Sequence, residues 1–171
     1  MLLLDRDGTK TDAWTRTKDL AIGDLPQVLV PWENLPPALA AKAQAQRIGA
    51  LIPNSLSADS ISPHLPQLAL IAVMFPSFSD GRGFSLAKAI RRAGFGGTLR
   101  ASGPLIPDQF DYALACGFDE IELPDSSTAR QTIAQWQQAV GRLSQTYQRG
   151  YRRDGNILEG RRQARAASTP S

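Results

Sequence analysis

The stretch from Leu70 to Gln109, LIAVMFPSFSDGRGFSLAKAIRRAGFGGTLRASGPLIPDQ, decides the fold. Its opening run, Leu70-Ile71-Ala72-Val73-Met74-Phe75, has no polar alternation, so it predicts a strand covered on both faces, as in the centre of a parallel sheet. Pro76 ends the strand. A polar turn follows, Ser77-Phe78-Ser79-Asp80-Gly81-Arg82-Gly83, then a helix, a second strand over Thr98 to Ser102, and a second turn before Asp108-Gln109. Such βα units place ligands beyond the carboxyl ends of their strands.

The pattern extends in both directions. Val28-Leu29-Val30 reads as a short strand ended by Pro31. Leu35 to Arg47 reads as an alanine-rich helix with Pro36 and Pro37 in its permissive first turn, closed by Gly49, with the next strand at Ala50-Leu51-Ile52. Ser57 to Ser60 can cap a short helix. Ala93-Gly94-Phe95 and Cys116-Gly117-Phe118 repeat one device, a glycine for the left-handed helix end and a phenylalanine folding back on the last turn. Glu120 to Leu123 supplies a further strand. In the last helix, starting after Asp125-Ser126-Ser127, a stripe of Ile133, Trp136, Val140, Leu143 and Tyr147 predicts one buried face.

At the other end, Leu2 to Leu4 and the segment around Ala13-Trp14-Thr15 flank Asp7-Gly8, a favoured turn dipeptide, and predict a β-hairpin. The expectation is an α/β fold. Repeated βα units with right-handed crossovers form a mainly parallel sheet, either open and doubly wound or a partial βα barrel. A closed eight-stranded barrel needs roughly 200 residues or more, beyond the 171 here. Residues 1–27 read as hairpin and linker, 28–148 as one α/β domain, and 149–171 as a basic tail without a hydrophobic stripe.

Charge narrows the partners. The net charge is +3, but six arginines from Arg149 onward face only Asp154 and Glu159, so residues 1–148 carry −1. Trp14, Trp32 and Trp136 are not interleaved with basic residues, so nucleic-acid stacking has no support. The one cysteine, Cys116, excludes an intrachain disulfide and predicts a reducing, cytoplasmic setting. No apolar run approaches membrane-spanning length. A lone His64 has no companions for a metal site or a triad. Cys116 falls at a helix C-terminus, where the dipole opposes thiolate formation, and reads as a core residue.

Six residues form the candidate site. Asp80, Arg82 and Ser85 lie between strand and helix, where free N–H groups and the helix dipole favour an anion; the same residues also suit a helix cap. Arg100 shares a strand face with Thr98 and Ser102, and a guanidinium there must be paired, with Asp80 and Asp108 as candidate partners, or reach solvent. Asp108 and Gln109 open the next helix behind Pro107, either as structural first-turn residues or as acid/base and oxyanion donor. The glycines at 81 and 83 are followed by Leu86, so the dinucleotide fingerprint fails at its third glycine; the Gly-Lys-Ser/Thr ending of a phosphate loop is absent too. No cofactor is identified by these residues.

An ordered set of motifs carries a resemblance: Phe75-Pro76, Asp80-Gly81-Arg82, Phe84-Ser85, Leu99-Arg100-Ala101, Asp108-Gln109 and Cys116-Gly117-Phe118-Asp119. Over Leu70 to Tyr147 the chain resembles a family of uncharacterised bacterial proteins described as probable oxidoreductases of assimilatory sulfite reduction. It departs from that pattern at Met74, where an acid is common, and at Pro104 to Pro107, where one acid and one arginine are lost. The resemblance implies a role in reductive sulfur assimilation. Two functions follow as expectations. One is an oxidoreductase or small-oxyanion binder acting with sulfite reductase through the six site residues. The other is a noncatalytic accessory subunit docking on sulfite reductase or its electron donor, with the basic tail reaching an acidic surface.

Overall fold

A computed structural model describes residues 1–17, 22–128 and 133–139. Leu2–Asp5 (β1) and Gly8–Lys10 (β2) form an antiparallel hairpin. The Asp5 carboxylate fixes its turn, accepting from the N–H groups of Asp7 (2.9 Å) and Gly8 (3.1 Å), while Gly8 takes φ 130°. The segment around Trp14 is not the second arm. It leads instead to Thr15–Arg16 (β3), which pairs in parallel with Gln27–Pro31 (β4).

Four crossovers follow. Leu35–Ala41 (α1) joins β4 to Arg47–Pro53 (β5), and Ala58–Ile61 (α2) with a 3-10 turn joins β5 to Leu68–Met74 (β6). Arg82–Arg92 (α3) leads to Thr98–Ser102 (β7), and Phe110–Ala115 (α4) to Glu120–Leu123 (β8). Asp125–Thr128 (α5) and Ile133–Ala139 (α6) close the described chain. The glycine device holds at both positions. Gly94 (φ 93°) and Gly117 (φ 104°) are left-handed, and Phe95 and Phe118 donate back to Ile90 (3.3 Å) and Ala113 (3.1 Å), the six-to-one bond of a Schellman helix end.

The helix expected from Leu35 to Arg47 stops at Ala41, because Lys42 is extended (ψ 134°). Tertiary hydrogen bonding accounts for this. The buried Gln46 donates to the carbonyls of Gly23 (3.0 Å) and Leu25 (2.6 Å) and accepts from Ala43 N–H (3.3 Å), bonds that a continued helix would forfeit. Gly49 is therefore no helix stop but lies inside β5. A Cβ there would meet Leu70, Trp14 and Leu29 at 3.0 to 3.2 Å, so its bareness admits the Trp14 ring.

The sheet order is β2-β1-β8-β7-β6-β5-β4-β3, antiparallel only where β1 joins β2 and β8. Its edge strands β2 and β3 are separated in sequence by Thr11 to Trp14 alone. A flat sheet of that order would set them roughly 34 Å apart at ~4.8 Å per strand. Five residue steps reach only about 17 Å. The sheet must curl, and it is a half-barrel whose mouth residues 11–14 cross.

Period-two alternation sorts the strands between two faces. Val28, Val30, Ile48, Ile52, Ile71, Val73, Leu99, Ala101, Ile121 and Leu123 point outward into one core shared with Phe84, Ile90, Phe110, Phe118 and Trp136 of the helices and loops. The inner face holds a small apolar cluster, Leu29, Leu70 and Ala72, under Trp14 and Leu51. Of the two sheet forms anticipated, the partial barrel is the one that forms, since the helices gather into the single outer core. Trp136 is fully buried as expected, whereas Ile133, placed on the same stripe, is exposed. Val140, Leu143, Tyr147 and the arginine-rich tail at 149–171 lie outside the described residues. Among the described residues, no helix is long and apolar enough to cross a membrane.

Candidate functional site

The polar turn after β6 is built as a rigid loop. Ser77 and Ser79 share a hydroxyl contact (2.9 Å), Asp80 N–H closes a turn on Ser77 (3.1 Å), and Asp80 clamps Arg82 with two hydrogen bonds of 2.9 and 2.7 Å. The Arg82 guanidinium holds the Asp80 carboxyl well below the usual carboxylate range, and Asn54 adds to this. The Asn54 Nδ2 is nevertheless buried without a hydrogen bond of good geometry. Across the loop, Gln109 Nε2 donates to the Phe78 carbonyl (2.7 Å) while its Oε1 accepts from Ile106 N–H (3.2 Å). So constrained, the loop presents Phe78 outward, 54% exposed. Tyr112, one turn beyond Gln109, is also exposed, with Phe84 against its ring edge and the Lys88 ammonium 5.2 Å from its centroid.

The second polar centre lies inside the half-barrel. Arg100 is 1% exposed and is gripped by three acids: Asp12 at 2.7 and 2.8 Å, Glu120 at 2.8 Å and Glu122 at 3.4 Å. Lys10 binds Glu120 (2.8 Å), and Arg16 pairs with Glu122. Cross-strand register explains the convergence. Arg100 sits opposite Glu120 and Ser102 opposite Glu122, so two residues from each strand share the inner face. Lys10, Asp12, Trp14 and Arg16 recur every second residue along the crossing segment, and all four meet the inner face.

These six charges cancel formally, three against three. Burial works against the Arg100 charge, but the Asp12 hydrogen bond and the Glu120 field more than offset it, so the guanidinium is held more firmly protonated than usual. Burial likewise disfavours the Asp12 carboxylate, yet Arg100 and the Trp14 N–H win and lower its pKa. Lys10 is raised by its bond to Glu120.

The six sequence-predicted site residues therefore divide. Asp80, Arg82 and Gln109 meet at the loop after β6; Ser85 lies exposed on α3, and Asp108 exposed on the 3-10 turn Pro107–Gln109. Arg100 belongs to the interior, and its partners are Asp12, Glu120 and Glu122 instead of Asp80 and Asp108. Its strand register turns it inward, away from the loop. Sequence reasoning missed Lys10, Asp12, Arg16, Glu120 and Glu122. The signal was present as two alternations, Lys-Thr-Asp-Ala-Trp-Thr-Arg at 10–16 and Glu-Ile-Glu-Leu at 120–123. A cavity of about 640 Å³ opens at the opposite, amino-terminal edge of the strands between Arg47, Phe95 and Asp119. There Arg91 is fully engaged by the Phe95, Gly97 and Gly117 carbonyls and by Asp119.

Cys116 is buried, and burial pushes its thiol up, as suits a core residue. His64 packs edge-on to Trp32 at 5.5 Å.

Fold and site together define an α/β half-barrel with helices on its outer face and an ion-paired interior crossed by its own N-terminal segment. The chain belongs to the family described as bacterial protein of unknown function (DUF934), whose model matches residues 49–157. No curated protein is significantly similar to it.

Proposed function

We propose that this protein is a noncatalytic docking subunit of reductive sulfur assimilation, which binds sulfite reductase or its electron donor through the loop after β6. One observation carries the reading. The residues expected to grip an anion, Asp80, Arg82 and Gln109, instead grip each other and the backbone, and so hold Phe78 out to solvent. A preorganised exposed aromatic loses little entropy on binding and makes an efficient interface anchor. Tyr112 extends the surface. The motif resemblance supplies the pathway, and the basic segment from Arg149 onward supplies salt-sensitive steering toward an acidic partner. The setting is the cytoplasm, in keeping with a lone buried cysteine.

The second reading, an oxidoreductase or small-oxyanion binder, is favoured by a different observation: Arg100 already holds a carboxylate in a two-bond fork.

Biolayer interferometry with purified sulfite reductase and its electron donor, each immobilised separately, tests the docking reading. The full chain is expected to bind one of them, and Phe78→Ser to bind at least tenfold more weakly, the loss of about 1.4 kcal/mol. Failure of the wild-type chain to bind either partner overturns the reading. Equal binding by the variant moves the interface away from the loop.

A further inference from the structure

Arg100 is an anion receptor whose guest belongs to its own chain. Its Nη1 donates to Asp12 Oδ2 at 2.7 Å and its Nη2 to Asp12 Oδ1 at 2.8 Å, the parallel fork by which a guanidinium takes a carboxylate. From the side, Nε donates to Glu120 Oε1 at 2.8 Å and fixes the guanidinium plane. The receptor is buried, while the Asp12 side chain is 31% exposed. Solvent thus reaches the guest and not the receptor.

The Trp14 ring anchors one end of the covering segment on the inner apolar cluster, but the Asp12 end is lightly held. Residues 11–14 belong to no strand, and Asp12 has one further bond, accepted by Oδ1 from Trp14 N–H at 3.1 Å. The flanking ion pairs of Lys10 and Arg16 lie at the rim, where their cations are 49% and 33% exposed and screened by water and salt. Charge sets the ligand class. With Asp12 in place the six-residue ion-pair cluster sums to zero; with Asp12 withdrawn that cluster carries one positive charge beside a free, planar fork.

We propose that the half-barrel interior binds a small monoanionic carboxylate at Arg100, and that Asp12 occupies this site as an intramolecular competitor until residues 11–13 lift about the Trp14 anchor. A tethered group competes at an effective concentration on the order of millimolar, so a ligand at millimolar levels shifts the balance. The inference is independent of the docking surface, which lies on another part of the molecule.

Formate is the probe, at constant ionic strength against chloride. In Asp12→Ala, calorimetric titration is expected to show one site, with affinity at least ~tenfold above wild type. Adding Arg100→Lys, which keeps the charge and removes the fork, abolishes it. In the wild-type chain, saturating formate is expected to raise amide hydrogen exchange at 11–14 several-fold. That measurement decides the matter even if Asp12→Ala does not fold. No formate effect on wild-type exchange overturns the proposal, and formate binding by the variant alone makes Asp12 a fixed structural anchor.

Discussion

The two faces of the same sheet are built by opposite rules. Along β7 and β8 the outward residues are Leu99, Ala101, Ile121 and Leu123, and the inward ones Arg100, Ser102, Glu120 and Glu122. The outward face meets several helices and loops, which together offer enough apolar surface for a continuous core. Among the described residues, the inward face meets one extended segment. A single strand's width cannot bury much hydrocarbon, so among the described residues the inner apolar cluster is small, Leu29, Leu70 and Ala72 beneath Trp14 and Leu51. The rest is closed by ion pairs, which satisfy buried polar groups without needing area. The difference teaches that what covers a sheet, as much as the strand itself, decides which residues its pleats can carry.

The strongest way to break the comparison is to remove its pivot on each side. Arg100→Leu leaves Asp12, Glu120 and Glu122 without their shared cation and is expected to destabilise by about 3–5 kcal/mol. Leu99→Ala, its neighbour on the outer face, is expected to lose about 2–5 kcal/mol through cavity formation. Magnitude alone does not separate them, but pH does. The deficit of the Arg100 variant shrinks as pH falls and the orphaned carboxylates take up protons, while the Leu99 deficit stays level. Urea unfolding across that range reads both.

A smaller effect sharpens the apolar end of the inner face. Gly49→Val places methyl groups where Trp14 and Leu70 already stand, at 3.0 to 3.1 Å from the first added carbon. Overpacking of this kind destabilises by about 1–3 kcal/mol. Gly96→Ala, with nothing within 4 Å, is the matched control expected to show no such loss. Urea midpoints of the two variants compare them directly.

Most of the outer face was legible from the sequence. The strands at Thr98 to Ser102 and Glu120 to Leu123, the Schellman ends at Gly94 and Gly117, and the central run before Pro76 are local signals that the fold leaves intact. The inner face was not, because its logic joins residues 88 positions apart. Trp14 beside Asp7-Gly8 looks like a hairpin arm until the sheet order sends β3 to the far edge. Gly49 looks like a helix stop until Trp14 needs the space. At the candidate site, Asp80, Arg82 and Gln109 lie around one loop, as their places in the sequence suggest. Arg100 was singled out correctly as needing a partner, but pairing it required the register of β8 and the path of residues 11–14, which no local pattern encodes.

The finest test concerns the one acid that joins the interior to solvent. Asp12 has its pKa lowered in the folded chain from an ordinary value of 3.8. A lowered folded pKa means stability that is fully present above the unfolded value and lost as pH falls through the folded one. Arg100 stays protonated throughout, so this pH dependence lies with the carboxylate. Asp12→Asn keeps the shape and can still accept from the Trp14 N–H, but it gives up the charge. It is therefore expected to lie about 1 kcal/mol below wild type near pH 7, as befits a charge-assisted pair open to solvent on one side. The gap is expected to close progressively as the pH drops below about 4 and to vanish below the lowered folded pKa, where wild-type Asp12 is neutralised too. Urea midpoints of the two proteins at several pH values check the sign. A gap that widened in acid would place the stabilising charge on another carboxylate, and the bond from Arg100 to residues 11–14 would then matter for its shape alone.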